Sequence, residues 1–244
     1  MGNVTIPDLQ SFIEENIQEF HKRRIDGLRR LKLIDVLKRK NPYLYKAKNI
    51  ELAQELVRAL LDAHLSSQEE AIFGNFLEKL AIFVCGKAYG GRKSSAEGID
   101  LEFEKEGVLY IVSIKSGPNW GNSRQVKRMQ DDFAKAKRVL RSSNRTLNIA
   151  AVNGCCYGRE PVEDKGEYTK LCGQAFWELI SGSDSLYIDI IEPLGHKAKE
   201  KNEEFHKQYA ALANLLTEQF VKEFCSPRGE IVWARIVQLN SARL

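Results

Sequence analysis

GIDLEFEKEGVLYIVSIKSGPNWGNSRQ, residues 98–125, is the stretch of sequence that decides the fold. Ile99, Leu101 and Phe103 alternate with acidic residues, which is the period of two expected of a strand with one buried face. The turn Lys105-Glu106-Gly107 then leads into residues 108–115, which are rich in β-branched side chains. We therefore predict a β-hairpin over the first two thirds of this stretch.

Helical patterns lie on both sides of the predicted hairpin. Ser67-Gln68-Glu69-Glu70 has the spacing of a capping box, which predicts that a helix begins there. Asn41-Pro42 is expected to end the first helix. In chain order, the predicted helices cover residues 8–39, 50–64, 67–87, 123–141 and 196–225. Residues 147–153 and 230–239 are predicted to be strands.

The order of these elements indicates the fold class. A strand, a helix and a further strand of this length imply that the two strands pair in parallel. We predict an α/β fold with a mixed central sheet flanked by helices and with helical additions at both ends. A single domain over residues 1–244 is expected, with a helical part at 1–66, a core at 67–153 and a mostly helical part at 154–244.

The composition is that of a globular chain with a small positive charge. Of its 244 residues, 43% are hydrophobic, and 37 basic against 33 acidic residues give a net charge of +4. This balance permits a polyanionic partner without requiring one. No apolar stretch approaches the ~18 residues of a membrane span, and the N-terminal segment lacks a signal-peptide pattern, so we expect a cytoplasmic protein. The five cysteines include no C-x-x-C pair, which argues against a zinc site.

The hairpin is predicted to place an acid and a lysine on one face of the sheet. If Glu104 and Gly107 flank a two-residue turn, Asp100 lies opposite Ile111 and shares its face with Lys115. Such a pair suits phosphodiester hydrolysis, since Asp100 can hold a hard cation that polarises the phosphate. Lys115 can offset charge in the transition state. The alternative is an acid and a lysine on a solvated sheet edge.

The same residues resemble a known nuclease motif. Asp100, a hairpin and Ser113-Ile114-Lys115 resemble the PD-(D/E)XK motif, and SGPNWGNS at 116–123 is similar to the K-[ST]-G-P-N segment of several type II restriction endonucleases. The resemblance spans about 80 residues and includes the helix–hairpin–helix–strand order of the superfamily core. It departs from the motif at Ile99, where proline is usual, and at Ser113, where an acid is expected.

The hydroxyl at position 113 leaves the second acid of the motif to be found elsewhere. Glu78 is the first candidate, because it lies on the helix before the hairpin, as in related nucleases, and because small residues surround it on its helix face. Glu102, Asp131 and Asp132 remain alternatives. The resemblance thus implies catalytic roles for Asp100, Lys115, Glu78 and Ser113, and it implies metal contacts from Asp100, Glu78 and Ile114.

Two loops are candidates for DNA contact. The segment after Lys115 contains glycines that let the backbone approach a phosphate, and Ser123 is a candidate N-cap for the helix that follows. A second polar loop, Gly90–Lys93, lies close to Asp100 in sequence. The candidate DNA-binding residues are Asn119, Asn122, Ser123, Arg124, Gln125, Lys127, Arg92 and Lys93.

The resemblance implies a Mg²⁺-dependent type II restriction endonuclease that leaves 5′-phosphate ends. Such an enzyme is expected to bind double-stranded DNA as a homodimer, since a two-fold protein matches a palindromic site. A structure-specific repair or junction nuclease uses the same chemistry and is one alternative. A catalytically silent DNA-binding protein is the other, because Ser113 replaces an acid.

Overall fold

A computed structural model describes residues 2, 4–143, 146–195 and 198–243 of the chain. These residues form two compact units. One unit consists of residues 1–18 and 73–196, and the other of residues 19–72 and 197–244. Each unit is therefore assembled from segments that are distant in sequence. The single domain over residues 1–244 stays a prediction.

The first unit, called here the sheet unit, contains the central sheet. Its strands are β1 (Arg92–Lys93), β2 (Leu101–Lys105), β3 (Val108–Lys115), β4 (Ile149–Cys155), β5 (Glu163–Asp164) and β6 (Thr169–Cys172). Within the described residues they form a six-stranded sheet in the order β1-β2-β3-β4-β6-β5. The pairs β3–β4 and β4–β6 are parallel, and the pairs β1–β2, β2–β3 and β5–β6 are antiparallel. The predicted mixed sheet is confirmed.

Helices cover both faces of this sheet. Helices α1 (Ile6–Arg30) and α4 (Ala53–Tyr89) each belong partly to the sheet unit, which also contains α5 (Ser123–Ser143), α6 (Gln174–Ser181), α7 (Leu186–Asp189) and α8 (Ile191–Gly195). One face of the sheet packs on α1, α4 and α6 through residues such as Leu101, Val112 and Ile114. The other face packs on α5 through Ile111 and Ala151. This arrangement confirms the predicted α/β fold.

The hairpin pairs β2 with β3 in a register that differs from the predicted one. Ile111 lies opposite Glu102 instead of Asp100, because Glu106 and Gly107 form the turn between Lys105 and Val108. Both turn residues have positive φ, 53° and 74°, as a tight hairpin turn requires. The shift is two residues, an even number, so it leaves every side chain on its predicted face.

The second unit, called here the helical unit, differs most from the sequence-based expectation. It contains α2 (Leu33–Arg39), α3 (Pro42–Ala47), α9 (Ala198–Phe224) and α10 (Trp233–Ser241) besides its parts of α1 and α4. The strand predicted over 230–239 is wrong, because Trp233, Ile236 and Leu239 follow a helical spacing and pack into the core of this unit. The β-branched residues next to them gave this segment the pattern of a strand.

Two helix boundaries were also predicted wrongly. The helix expected over 8–39 is interrupted at Lys32, whose φ of −115° and ψ of 141° are extended, and α2 then buries Leu33, Val36 and Leu37. The capping box at Ser67 does not begin a helix, because α4 runs without a break from Ala53 to Tyr89. The Ser67 hydroxyl instead donates to the Ala63 carbonyl, 3.1 Å away, as a serine inside a helix does.

Other expectations are confirmed or extended. The helical segment before Asn41-Pro42 ends at Arg39, as the Asn-Pro break predicts, and Asn41 then caps α3 through hydrogen bonds from the Tyr43 and Leu44 amides. Strands β1, β5 and β6 were not predicted, since β1 and β5 have two residues each and β6, with four, is at the lower limit of the runs from which strands are recognised. His196, where the last amphipathic run was expected to begin, lies outside the described residues. Across the described residues, no helix combines the length and apolar character needed to cross a lipid bilayer.

Candidate active site

Asp100 lies just before β2 and is held on β3 by two hydrogen bonds. Its main-chain amide donates to the Val112 carbonyl at 2.9 Å, and its Oδ2 accepts a hydrogen bond from the Ile114 amide at 2.7 Å. Burial raises the pKa of the Asp100 carboxyl and outweighs the opposing effect of the Ile114 hydrogen bond. The carboxylate is therefore fixed in place in surroundings that favour its neutral form.

Glu78 supplies a second carboxylate close to Asp100. Its negative charge also raises the pKa of Asp100, whereas the ammonium groups of Lys115 and Lys93 lower it. Glu78 Oε1 lies 2.8 Å from Lys93 Nζ, and the Glu78 side chain is 25% exposed. This hydrogen bond is the main reason that the pKa of Lys93 is raised. Two acids and two lysines thus influence one another electrostatically at one end of the hairpin.

The helix that carries Glu78 runs close to the end of β3. A Cβ built on Gly74, one turn before Glu78 on α4, would lie 3.5 Å from the Cβ of Ser116. Ala81 and Cys85, further along the same helix, are fully buried. The small residues around Glu78 therefore let α4 approach the strand that ends at Lys115, as their spacing in the sequence indicates.

Lys115 ends β3, and its ammonium lies over an aromatic ring. Lys115 Nζ is 5.1 Å from the centroid of the Trp120 ring, which is a cation–π contact. Ser113, two residues earlier, is 2% exposed. Ile114 has no side-chain donor atom, so only its main-chain carbonyl could contact a metal.

The alternative acids are engaged elsewhere. Glu102 accepts hydrogen bonds from Arg92 Nε at 2.7 Å and from Ser94 Oγ at 3.2 Å. Asp131 is 63% exposed and pairs with Lys127 on the same helix. A Cβ on Gly98 would overlap the carboxylate of Asp132, so Asp132 packs against the turn before Asp100. Of the four acids considered, Glu78 is the one whose charge is among the main influences on the pKa of Asp100.

The candidate DNA-binding residues all lie on the surface, although two of them have a structural role. Asn122, not Ser123, caps α5, since its side chain accepts from the amides of Arg124 and Gln125, each at 3.1 Å. Gln125 accepts in return from the Asn122 amide at 2.9 Å. This reciprocal pair is a capping box. The remaining candidates are also exposed, namely Asn119, Ser123, Arg124, Lys127, Arg92 and Lys93.

The structure adds two residues that were not proposed from the sequence. Trp120 carries the ring beneath Lys115, and its indole Nε1 donates to Asn153 Oδ1 at 3.1 Å. Asn153 is 1% exposed and lies beside Ser113 in the parallel pairing of β3 with β4. An asparagine inside the otherwise apolar stretch LNIAAVN is the signal that could have indicated this contact, because a buried amide needs partners.

This arrangement is suited to the hydrolysis of a phosphate ester. Asp100 and Glu78 provide oxygen ligands for a hard cation, and Lys115 provides a positive charge beside them.

Comparison with known proteins is consistent with this chemistry. The family model of the type II restriction endonuclease EcoO109I matches residues 7–202. No curated protein is significantly similar to the chain. Because the match covers well over half of its length, the chain belongs to the EcoO109I family of type II restriction endonucleases.

Proposed function

We propose that this restriction endonuclease is a Mg²⁺-dependent enzyme of the PD-(D/E)XK superfamily, with a K-S-G-P-N segment, that cuts double-stranded DNA at a specific sequence. The observation that carries the proposal is the hydrogen bond that holds Asp100 on the Ile114 amide, next to Lys115 at the end of the hairpin, with Glu78 near enough to raise the pKa of Asp100. Asp100 lies just before β2, the first strand of the hairpin, and Lys115 ends β3, its second strand. In this proposal Glu78 provides the second acidic metal ligand, which the hydroxyl of Ser113 cannot provide.

The chemistry of the donor set fits Mg²⁺. This ion is usually held by one or two carboxylates together with water and substrate phosphates. Among the described residues no group of three or more acids, histidines or cysteines could enclose a metal ion. Two carboxylates, Asp100 and Glu78, with the Ile114 carbonyl as a further ligand, match the sparse protein contribution that Mg²⁺ accepts. When bound, the ion would polarise the phosphate and lower the pKa of water.

The chain's own residues supply the remaining functions. The Ile114 amide orients the Asp100 carboxylate, because it donates to Oδ2 at 2.7 Å. The Lys115 ammonium would stabilise negative charge on the phosphate in the transition state. Ser113 is buried and occupies the position of the missing acid without adding charge. The exposed residues of the loop after Lys115, and Arg92 and Lys93, would contact phosphates or base edges.

Substitution of Asp100 and Lys115 by alanine tests the proposal. We expect both variants to bind specific duplex DNA with nearly wild-type affinity and to cleave it by roughly 10²–10³-fold more slowly, since each lacks a group that acts on the reacting phosphate. Cleavage of a sequenced phage genome with Mg²⁺ measures the activity, and sequencing of the fragment ends gives the cut site. Gel shift measures the affinity.

The matched control is Asp131→Ala, which removes an exposed carboxylate paired within its own helix. It should cut at the wild-type rate. Wild-type-like cleavage by the Asp100 variant would remove Asp100 from the active site. Cleavage that follows DNA junctions instead of a sequence would contradict the specificity proposed here.

A further inference from the structure

Lys115 has a flexible side chain, but its proposed role requires its ammonium group to be held at one position. Its four-carbon stem carries a compact charge that can occupy many rotamers. The Trp120 ring narrows this choice, because the ammonium lies 5.1 Å from its centroid. Tryptophan has the aromatic face that attracts a cation most strongly. The indole therefore favours one placement of the Lys115 ammonium at the end of β3.

The indole is itself held by a buried amide. Trp120 Nε1 donates to Asn153 Oδ1 at 3.1 Å, and Asn153 Nδ2 donates to the Ser113 carbonyl at 3.3 Å. Asn153 is 1% exposed, so water could not replace the hydrogen bonds of its amide if they were lost. The oxygen and the nitrogen of the Asn153 amide therefore each have a hydrogen-bond partner. This fixes the plane of the ring relative to the strand that carries Lys115.

The loop that carries Trp120 has anchors of its own. Lys170 Nζ donates to the Pro118 carbonyl at 3.2 Å. A Cβ on Gly117 would overlap the ring of Tyr157, which shows how closely the loop lies against the end of β4. These contacts do not involve the indole. A change of the Trp120 side chain can therefore alter the ring beneath Lys115 while the loop keeps its other attachments.

We propose that Trp120 is a positioning residue for the reaction: it holds the Lys115 ammonium at the reacting phosphate, and Asn153 acts through it by fixing the indole. This inference rests on the proposed function, in which Lys115 stabilises the transition state. It adds a chain of contacts from the buried amide on β4 to the charge at the end of β3.

The test measures cleavage and binding separately in the full chain. Single-turnover rates are measured with enzyme in excess over duplex DNA and Mg²⁺, and DNA affinity is measured by gel shift with Ca²⁺ in place of Mg²⁺. We expect Trp120→Leu to slow cleavage by roughly 10- to 100-fold, as small misplacements of a catalytic group do, with DNA affinity within about threefold of wild type. Trp120→Phe keeps an aromatic face but loses the hydrogen bond to Asn153, so it should recover only part of the rate.

A double-mutant cycle separates positioning from general damage. In a Lys115→Met background, Trp120→Leu should cause no further loss of rate, because the group that it positions is absent. Trp177→Phe is the matched control, since it removes a second indole that donates to a carbonyl, that of Cys156. It should lower Tm and leave the cleavage rate unchanged. Equal losses from Trp120→Leu with and without Lys115 would overturn the positioning role.

A nuclear magnetic resonance experiment tests the contact without reference to cleavage. The Lys115 Hε resonances should be shifted upfield by the indole ring in the wild type. They should return toward ordinary lysine values in Trp120→Leu, and partly so in Asn153→Ser. Ordinary shifts in the wild type would overturn the inference. A wild-type protein that cuts no DNA would overturn the proposed function itself, whereas an active protein in which Trp120→Leu is silent would overturn only the role of Trp120.

Discussion

At the scale of the residue, two opposing sets of influences act on the pKa of the Asp100 carboxyl. Burial raises its pKa, and so does the nearby charge of Glu78. The Ile114 amide and two lysine ammonium groups favour the ionised form that a metal ligand needs. The net effect is a raised pKa, so the ionised carboxylate that the proposed metal site requires destabilises the fold.

Asp100→Asn should stabilise the protein in the absence of metal. The amide oxygen can still accept from the Ile114 amide, and the buried charge is gone. We expect the free energy of unfolding to rise by on the order of 1 kcal/mol at about pH 8, far above the ordinary pKa of a carboxyl group. The gain should disappear as the pH falls through the raised pKa toward the ordinary value of 3.8, because protonation removes the same charge from the wild type.

Thermal or urea unfolding in the presence of a chelator, at about pH 8 and about pH 4, measures this difference. Asp131→Asn is the control, since its carboxylate is 63% exposed, and it should change stability little at either pH. If Asp100→Asn destabilises the protein at high pH, burial does not govern the ionisation of Asp100.

Glu78 and Glu102 offer a matched comparison between two acids near the hairpin. Glu78→Gln keeps the shape of the side chain and removes a negative charge beside Asp100, so we expect cleavage to fall by roughly 10²–10³-fold and the Mg²⁺ requirement to rise. Glu102→Gln disturbs only the contacts with Arg92 and Ser94 and should be nearly silent. A titration of the cleavage rate with Mg²⁺ measures both. Normal cutting by Glu78→Gln with an inactive Glu102→Gln would assign the second acid to β2.

At the scale of the element, the start of α5 shows how a loop is fixed beside the proposed active site. The capping box formed by Asn122 and Gln125 ends the segment between β3 and α5. It satisfies main-chain amides at the helix start that would otherwise lack partners. The first turn of α5 is thus held in place beside the loop that carries Trp120.

Asn122→Ala should lower the free energy of unfolding by about 1 kcal/mol, the usual cost of losing an N-cap side chain. Ser123→Ala is the control. It removes the residue that the sequence pattern favoured as the cap, and it should leave stability within about 0.5 kcal/mol of wild type because Ser123 is exposed. Urea unfolding of both variants measures the difference. The reverse order of effects would show that Ser123 caps the helix.

At the scale of the whole molecule, we expect two copies of the chain to act together on DNA. A type II enzyme that cuts both strands of a palindromic sequence needs one active site for each strand, and a two-fold dimer supplies both in equivalent positions. Sedimentation equilibrium of the free protein and of its complex with a specific duplex should give the mass of two chains. One chain per duplex at saturation, with both strands cut, would contradict this expectation.

The sequence by itself determined the hairpin, the face shared by Asp100 and Lys115, and the helix–hairpin–helix–strand order, because strand and helix periods depend on local patterns of burial. The same residues indicated a type II restriction endonuclease, which the family match confirms. Only the tertiary structure showed that Glu78 lies close enough to Asp100 to affect its ionisation and that Trp120 lies beneath Lys115. The closing helix at Trp233 was decided in the same way, by packing in the core of the helical unit. These features depend on contacts between residues distant in sequence, or between side chains that a loop brings together, and a local pattern does not specify them.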